Sequence, residues 1–500
     1  MNKYSKLLVV FILFFPYLIG FSNIYFIETD LENITEKHTN SIVLSYENEE
    51  KFFKEIIAEQ FGDQRDFWTR NFEIQEYEQV HATLLAVGNW CYLYMDNRTI
   101  DQLGQSQAIQ MCESYVDEFD NNIYPKNVEF MGHPDGIFGD IDGDPRITIL
   151  IYPAVRGGGY YLEGNEMDHA YSNFREMIYI NSAIISTNLI TTVCHEFNHL
   201  ILFNNDLNEA DFVIEGMAEY SIYHVGYFSN ESYLPPWARM NLSYNAIPFE
   251  NQPETSLLYF DPSAAYLTYG ASYMFFFYLV EQYGIQVITD LLGFEADGPE
   301  GIEQTLLLNG VEIEFNQLFL NWITACTIDQ LGFENNLYGF ENADFQVSVN
   351  TVINDIPFSK TDVNHKLYGF DVKKLNSPPD RFFLEMQTPL SHRALGISAV
   401  ILDDNGWNIT KTIISGADGE FVTMEYSGDN IQEAYILTSL IKEGIKEAPR
   451  EFMVAPFENL DYSFSEEPTT NVSDFSFETF TILIVFMSSL IVFVRRRIKI

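Results

Sequence analysis

The stretch CHEFNHLILF, Cys194 to Phe203, sets two histidines four residues apart with a glutamate directly after the first. Positions i and i+4 of an α-helix share a face with Cβ atoms about 5–6 Å apart, so His195 and His199 can put two imidazole nitrogens on one ion. Glu196 then points to the side, within reach of a water on that ion. A zinc ion lowers the pKa of such a water toward neutrality, and a carboxylate placed there can take its proton and pass it to a leaving amine. The competing reading is two ordinary helix histidines, with Glu196 salt-bridged or solvated and no third ligand.

The next helical stretch, VIEGMAEY, adds Glu215 and Glu219 at i, i+4 in an otherwise apolar sequence. Buried carboxylates must be paired or hold a metal. Either glutamate can complete a His, His, Glu set and leave a fourth position open, as catalytic zinc sites do.

HEFNHLILF followed by IEGMAEY resembles the gluzincin zinc metallopeptidases, whose pattern is HExxH and then a helix carrying N-E-G or similar. Among them it is most similar to the hyicolysin-like neutral metallopeptidases. The acidic turn GDIDGDPRITILIY, the strand EMIYIN before the histidine helix and YGASYMFFFYLVEQYG after it extend the resemblance over residues 130–285. It implies a zincin-like metallopeptidase domain in which His195, His199 and Glu215 bind zinc and Glu196 is the general base and then the acid. Glu219 would be a carboxylate that orients a histidine. Two departures keep Glu219 open as the third ligand: Ile214 stands where the family usually has Asn, and the spacing from His199 to Glu215 is somewhat short. Tyr269 lies where some gluzincins carry a tyrosine that stabilises the oxyanion, although a packed aromatic is as good a reading in a chain with 30 tyrosines. His224, five after Glu219, is a second candidate for that role.

GDIDGDPR alternates Asp140, Asp142 and Asp144 around glycine, a spacing that lets several oxygens converge on calcium. Asp-Gly turns also lead into strands with no metal, and the bidentate glutamate of an EF-hand is missing at the expected distance. Gly157, Gly158 and Gly159 can let a substrate backbone approach a sheet edge, or simply form a turn.

These residues need a scaffold. ITILIYPAV, Ile147 to Val155, reads as a buried strand and EMIYINS, Glu176 to Ser182, as a half-buried one. ISTNLITTVCHEFNHLILFNN has Leu189, Val193, Phe197, Leu200 and Ile201 at helical spacing, with Ser186 or Thr187 as cap. ADFVIEGMAEYSIYHVGY is a second helix from near Asp211, and YGASYMFFFYLVEQYG a third ending at Gly284. EKFFKEIIAEQFGDQRDFWTR reads as part of a propeptide or as a first helix. From about residue 350 the chain turns to short strand-like runs separated by SPPD, DNG, GADG and SGDN, the spacing of a β-sandwich. The fold class expected is therefore α+β: a small mixed sheet with active-site helices over 23–345, then a β-sandwich over 350–465.

The ends and the charge set the surroundings. Lys3 and Lys6, an apolar run from Leu7, and small residues near Gly20 form a secretory signal peptide over 1–22, with an uncleaved anchor as the alternative. A polar stalk, 466–478, leads to an apolar span at 479–494 and the basic tail 495–500. Basic residues flank the cytoplasmic side, so the body is expected outside the cell and the C-terminus inside. Sequons at Asn33, Asn97, Asn230, Asn241, Asn408 and Asn471 agree with export. Cys91 and Cys112 are the expected disulfide of an exported body, and Cys194 a small buried residue rather than a ligand. A net charge of -45 repels phosphate backbones, which excludes nucleic acid as a partner.

Together these features describe an extracellular, membrane-anchored zinc peptidase acting on protein or peptide. With no amine-anchoring G-A-M-E-N run, endopeptidase action is favoured. The rival readings are an inactive binding protein of the same fold and a cell-surface adhesion protein in which the sandwich does the work.

Overall fold

The computed structural model describes residues 58–468 apart from 137–139, 155–156, 186–188 and 228–245. The chain is mixed α and β. Its first sheet is built from β1 (Gln64–Asn71), β2 (Glu76–Val87), β3 (Cys91–Asp96), β4 (Ile147–Tyr152), β5 (Gly159–Tyr161) and β6 (Met177–Asn181), in the order β1-β2-β3-β4-β6-β5. Strands β3, β4 and β6 run parallel, and β5 closes one edge antiparallel to β6. The parallel step from β3 to β4 needs a crossover, supplied by α1 (Asn97–Leu103), α2 (Gln105–Glu118) and α3 (Tyr124–Met131). Every residue of ITILIY in β4 is buried, as a central parallel strand covered on both faces requires. Ile147, Ile149 and Ile151 join the helical core, while Leu150 and Tyr152 join a second cluster with Tyr94, Tyr160 and Tyr179.

The helical layer comprises α4 (Leu189–Asn205), α5 (Asp211–Val225), α6 (Ala246–Glu250), α7 (Ala265–Tyr283), α8 (Gln286–Leu291), α9 (Gly298–Leu308) and α10 (Phe315–Ile328). Helix α4 packs on β5 and β6, and α5 is held between α4 and α7. Both α4 and α5 are buried along nearly their whole length, which is why apolar residues fall on every side of them and their few charged groups need partners. Gly284 ends α7 with φ +87°, its N–H returning to the Val280 carbonyl.

Gly216 sets the approach of α5 to α7. A Cβ there would lie 2.4 Å from Phe276 Cδ2 and 3.0 Å from the Ser272 carbonyl oxygen. Gly216→Ala is therefore expected to lower stability by about 1–3 kcal/mol, through overpacking that moves helix against helix. Denaturant melts should show the midpoint fall with the slope unchanged.

The second half is two antiparallel-rich sheets. Strands β7 (Thr351–Ile353), β9 (Phe370–Asn376), β11 (Ala394–Asp403), β12 (Gly406–Ser415) and β14 (Glu433–Ile441) form one, ordered β12-β11-β14-β9-β7. The other is β13-β10-β15-β8, from β8 (Phe358–Lys366), β10 (Arg381–Gln387), β13 (Phe421–Ser427) and β15 (Phe457–Ser465). The sheets share an apolar cluster that takes Phe382, Leu384 and Met386 from one, and Leu395, Ile397 and Ile401 from the other. The opposite face of the five-stranded sheet packs on α10, where Thr324 Oγ1 and Ser398 Oγ are 2.8 Å apart and Tyr368 donates to Asn316 Oδ1 (2.9 Å). Val400, Leu437, Leu440 and Ile441 belong there to the same core as the helices. The strand-rich half is thus continuous with the helical half through packed side chains.

Two expectations need correction. Residues 64–71 are strand β1, not a first helix: Phe67 and Thr69 alternate inward, and β1 pairs with β2 along its length. Cys91 and Cys112 are unbridged, each filling a buried position of the helical core as a small apolar residue. No helix among the described residues is long and apolar enough to cross a membrane. The expected signal peptide 1–22, nearly all of the stalk, the span 479–494, the tail 495–500 and the caps Ser186 and Thr187 lie outside the described residues.

Candidate metal centre

Helix α4 carries His195 and His199 on one face, toward α5, which brings Glu215 and Glu219 from its own i, i+4 face. The chain between them, Asp206 to Ala210, is just long enough to reverse direction. All five side chains, Glu196 included, are at most 2% exposed.

The two Nε2 atoms of His195 and His199 are 2.9 Å apart. Glu215 Oε2 lies 3.4 Å from the first and 3.6 Å from the second. A triangle with those sides has its centre about 1.9 Å from every corner, close to the roughly 2.0–2.2 Å of zinc–nitrogen and zinc–oxygen bonds. The three donors therefore fit one small divalent ion without rearrangement. Glu219 does not join them but sits behind, Oε1 being 3.4 Å from His195 Nδ1. That is the place of a carboxylate that fixes the tautomer of a ligating imidazole. Tyr269 on α7 donates its hydroxyl to Glu215 Oε1 at 3.1 Å.

Both oxygens of Glu196 are buried with no hydrogen-bond partner in the protein, and Glu215 Oε2, equally buried, faces the two imidazole nitrogens at 3.4 and 3.6 Å. Three buried carboxylates against two imidazoles is a costly arrangement that a proton or a cation must offset. Protonation is one way to offset it. Burial pushes the Glu196 carboxyl up to about 8, against the pull of His195. Glu215 rises to about 6, again through burial, and hydrogen bonds from His195 and Tyr269 limit the rise. Burial pulls His195 down, but its bonds to Glu215 and Glu219 prevail and carry it to about 10. His199 is driven well below its ordinary value by burial and by the His195 charge. A divalent cation would answer the same excess of negative charge.

No family model matches the chain, and no curated protein matches it. Among solved structures, the Yersinia pseudotuberculosis-derived mitogen aligns at 12% identity over 24% of this chain and 94% of its own, with a TM-score of 0.15. A family GH115 4-O-methyl-alpha-glucuronidase aligns at 8% identity over 65% of this chain and 52% of its own, also at 0.15. The infectious bursal disease virus structure aligns at 12% identity over 23% of this chain and 33% of its own, at 0.13. Scores this low carry no argument about fold or function.

Edge strand β5 flanks the centre. Gly159 presses it against α4: a Cβ there would stand 2.8 Å from Thr192 Cγ2 and 2.9 Å from Glu196 Cγ. Of the three sequence glycines, Gly159 has a packing reason to lack a side chain and Gly157 a backbone one, its φ being +75°. Tyr161, at the end of β5, donates to Glu166 Oε1 (2.7 Å), and Glu166 Oε2 accepts from Asn204 of α4 (2.7 Å). Glu166 thereby ties the edge strand to the histidine helix. Nothing in its sequence neighbourhood marked it, because its partners are 5 and 38 residues away.

The proposed calcium set changes in its third member. Asp140 and Asp142 group with Glu176 rather than with Asp144. Asp144 is engaged elsewhere, accepting from the Tyr92 hydroxyl (2.6 Å) and from Arg146 (3.2 Å). Asp142 is also 3.5 Å from the Arg175 guanidinium, and Glu176 accepts the Ile141 N–H (2.8 Å). His224 packs against the rings of Phe130 and Tyr220 and takes no part in the cluster. Cys194 is buried with its Sγ 3.5 Å from Ser221 Oγ.

Proposed function

We propose that the chain is a zinc-dependent peptidase of the zincin type, acting as an endopeptidase, with His195, His199 and Glu215 as ligands and Glu196 as general base and acid. The observation that carries this reading is the Nε2, Nε2, Oε2 triangle with the partnerless Glu196 carboxylate beside it. A zinc ion on the three donors supplies Lewis acidity to a water and to the scissile carbonyl. Glu196, already desolvated and unencumbered by hydrogen bonds, accepts the proton of the attacking water and returns it to the leaving nitrogen. Glu219 holds His195 by its Nδ1, and the packed walls of α4, α5 and α7 keep bulk water from the charges. Strand β5 offers an edge to which an extended peptide can add as a further strand, close to Glu196. Placement of this body outside the cell, anchored by 479–494 in the cell membrane, rests on the sequence of the two ends. The first test is metal content together with hydrolysis of an unstructured protein such as casein. One zinc per chain with chelator-sensitive cleavage is the expected result, and absence of zinc after loading and desalting sinks the reading.

Tyr269 divides two roles. The hydrogen bond to Glu215 favours a residue that positions the ligand carboxylate. Tyr269→Phe is then expected to weaken zinc binding about tenfold, with kcat nearly kept at full zinc occupancy. A loss of about 10²–10³-fold in kcat with zinc still tightly held would assign it instead to the oxyanion.

A further inference from the structure

Three further carboxylates meet where α4 gives way to α5. Asp206 directly follows α4, Glu209 stands two residues before α5, and Asp297 immediately precedes α9. Each offers one oxygen, and these oxygens all lie within 4.8 Å of one another. Asp206 is seven residues beyond His199, about 10 Å along a helix, so this group is separate from the candidate metal centre. We propose that it is a second cation site, suited to calcium, that fastens the α4–α5 connection to the start of α9. It does not depend on the peptidase reading.

The state of the oxygens points to a ligand. Glu209 is only 1% exposed, and its Oε1 accepts the N–H groups of Ala210 and Gly298, both at 2.6 Å. The second of these bonds holds the carboxylate against the residue after Asp297. Its Oε2 is buried with no hydrogen-bond partner. Asp206 is alike: Oδ1 accepts the Asn208 N–H (3.1 Å), and Oδ2 is buried with no hydrogen-bond partner. The two oxygens of a carboxylate share one carbon, so the unmet oxygens belong to the same group as the met ones. Leaving them so is costly unless a cation answers them. Arg450 pairs with Asp297, and one guanidinium against three carboxylates leaves two negative charges, the charge of one calcium ion.

The donors are all oxygens, which selects a hard cation. Calcium, with bonds of about 2.3–2.6 Å and a flexible shell, can reach any two oxygens that lie within 4.8 Å. Magnesium, with bonds of about 2.0–2.1 Å and a strict octahedron, reaches only closer ones. The elements to be joined already touch. A Cβ on Gly298 would stand 3.3 Å from that of Ala210, and the Pro449 carbonyl accepts the Asp211 N–H (3.2 Å). An ion here steadies the start of the helix that carries Glu215.

The test uses the full chain loaded with zinc, so that the histidine site is filled, and calcium chloride as the probe. Equilibrium dialysis is expected to show calcium bound with a Kd of about 10⁻³ M or tighter, and magnesium about tenfold weaker or more. At ten times that Kd calcium should raise the melting temperature by about 1–2 °C. Asp206→Asn and Glu209→Gln keep side-chain size and an acceptor for the N–H bonds, and each should weaken calcium about tenfold or more. Asp142→Asn, in the other acidic group, should leave this site unchanged. Arg450→Gln removes a competing charge and should tighten it, which keeps the question open to decision if the carboxylate variants fail to fold. No bound calcium at 10 mM, calcium that survives the double variant, magnesium bound equally well, or an Arg450→Gln protein that binds no tighter would each overturn the assignment.

Discussion

Glu196→Gln is expected to hold its zinc and to lose about 10²–10⁴-fold in kcat, the range ascribed to general acid–base catalysis. Glutamine keeps the volume of a side chain that is fully buried, so neither α4 nor its histidines should shift. What it lacks is the ability to take a proton. Metal analysis of parent and variant side by side separates this from loss of the ion. A second consequence follows from the partnerless oxygens of Glu196. Without metal the variant should melt at a higher temperature than the parent, because a carboxyl that is costly to bury charged has been replaced by a neutral group. Retained activity in the variant would sink the role of Glu196 whatever its zinc content.

Glu215→Ala and Glu219→Ala should part company in zinc affinity. Glu215 supplies a corner of the donor triangle, whereas Glu219 meets His195 at its far nitrogen, behind the triangle. Loss of a residue that orients a ligand costs about 10–100-fold in metal affinity. Glu219→Ala is expected within that range and Glu215→Ala well beyond it, measured by competition with a chromophoric chelator. The reverse order would make Glu219 the third ligand, the alternative that the short spacing after His199 left open.

The parts of this centre legible in the sequence are those set by helical period. His195 with His199 and Glu215 with Glu219 each share a helix face because four residues make about one turn, and α4, α5 and α7 fall where apolar spacing and Gly284 put them. What period cannot give is which faces meet. The way α5 lies on α4 brings Glu215 rather than Glu219 to the two Nε2 atoms, while Gly216, packed on Phe276, sets the approach of α5 to α7. The replacement of Asp144 by Glu176 follows from strand pairing, since β3 brings Tyr92 alongside β4 and so claims Asp144. Residues 64–71 were ambiguous because the segment before them is charged and aromatic, and the pairing with β2 that decides the matter is a long-range event. Cys91 and Cys112 show the same limit: nearness in sequence says nothing about whether two thiols sit on facing or merely neighbouring parts of one core.

The packing of α10 on the five-stranded sheet also bears on how the molecule comes apart. A chain whose helices and β-sheets share one apolar core has no seam at residue 350 where a protease or a gene fusion could cut cleanly. Calorimetry of the protein should then show one melting transition rather than two. The sheets act less as a spacer than as a foundation, and the candidate metal centre keeps one fixed bearing toward the point where the described chain ends at residue 468.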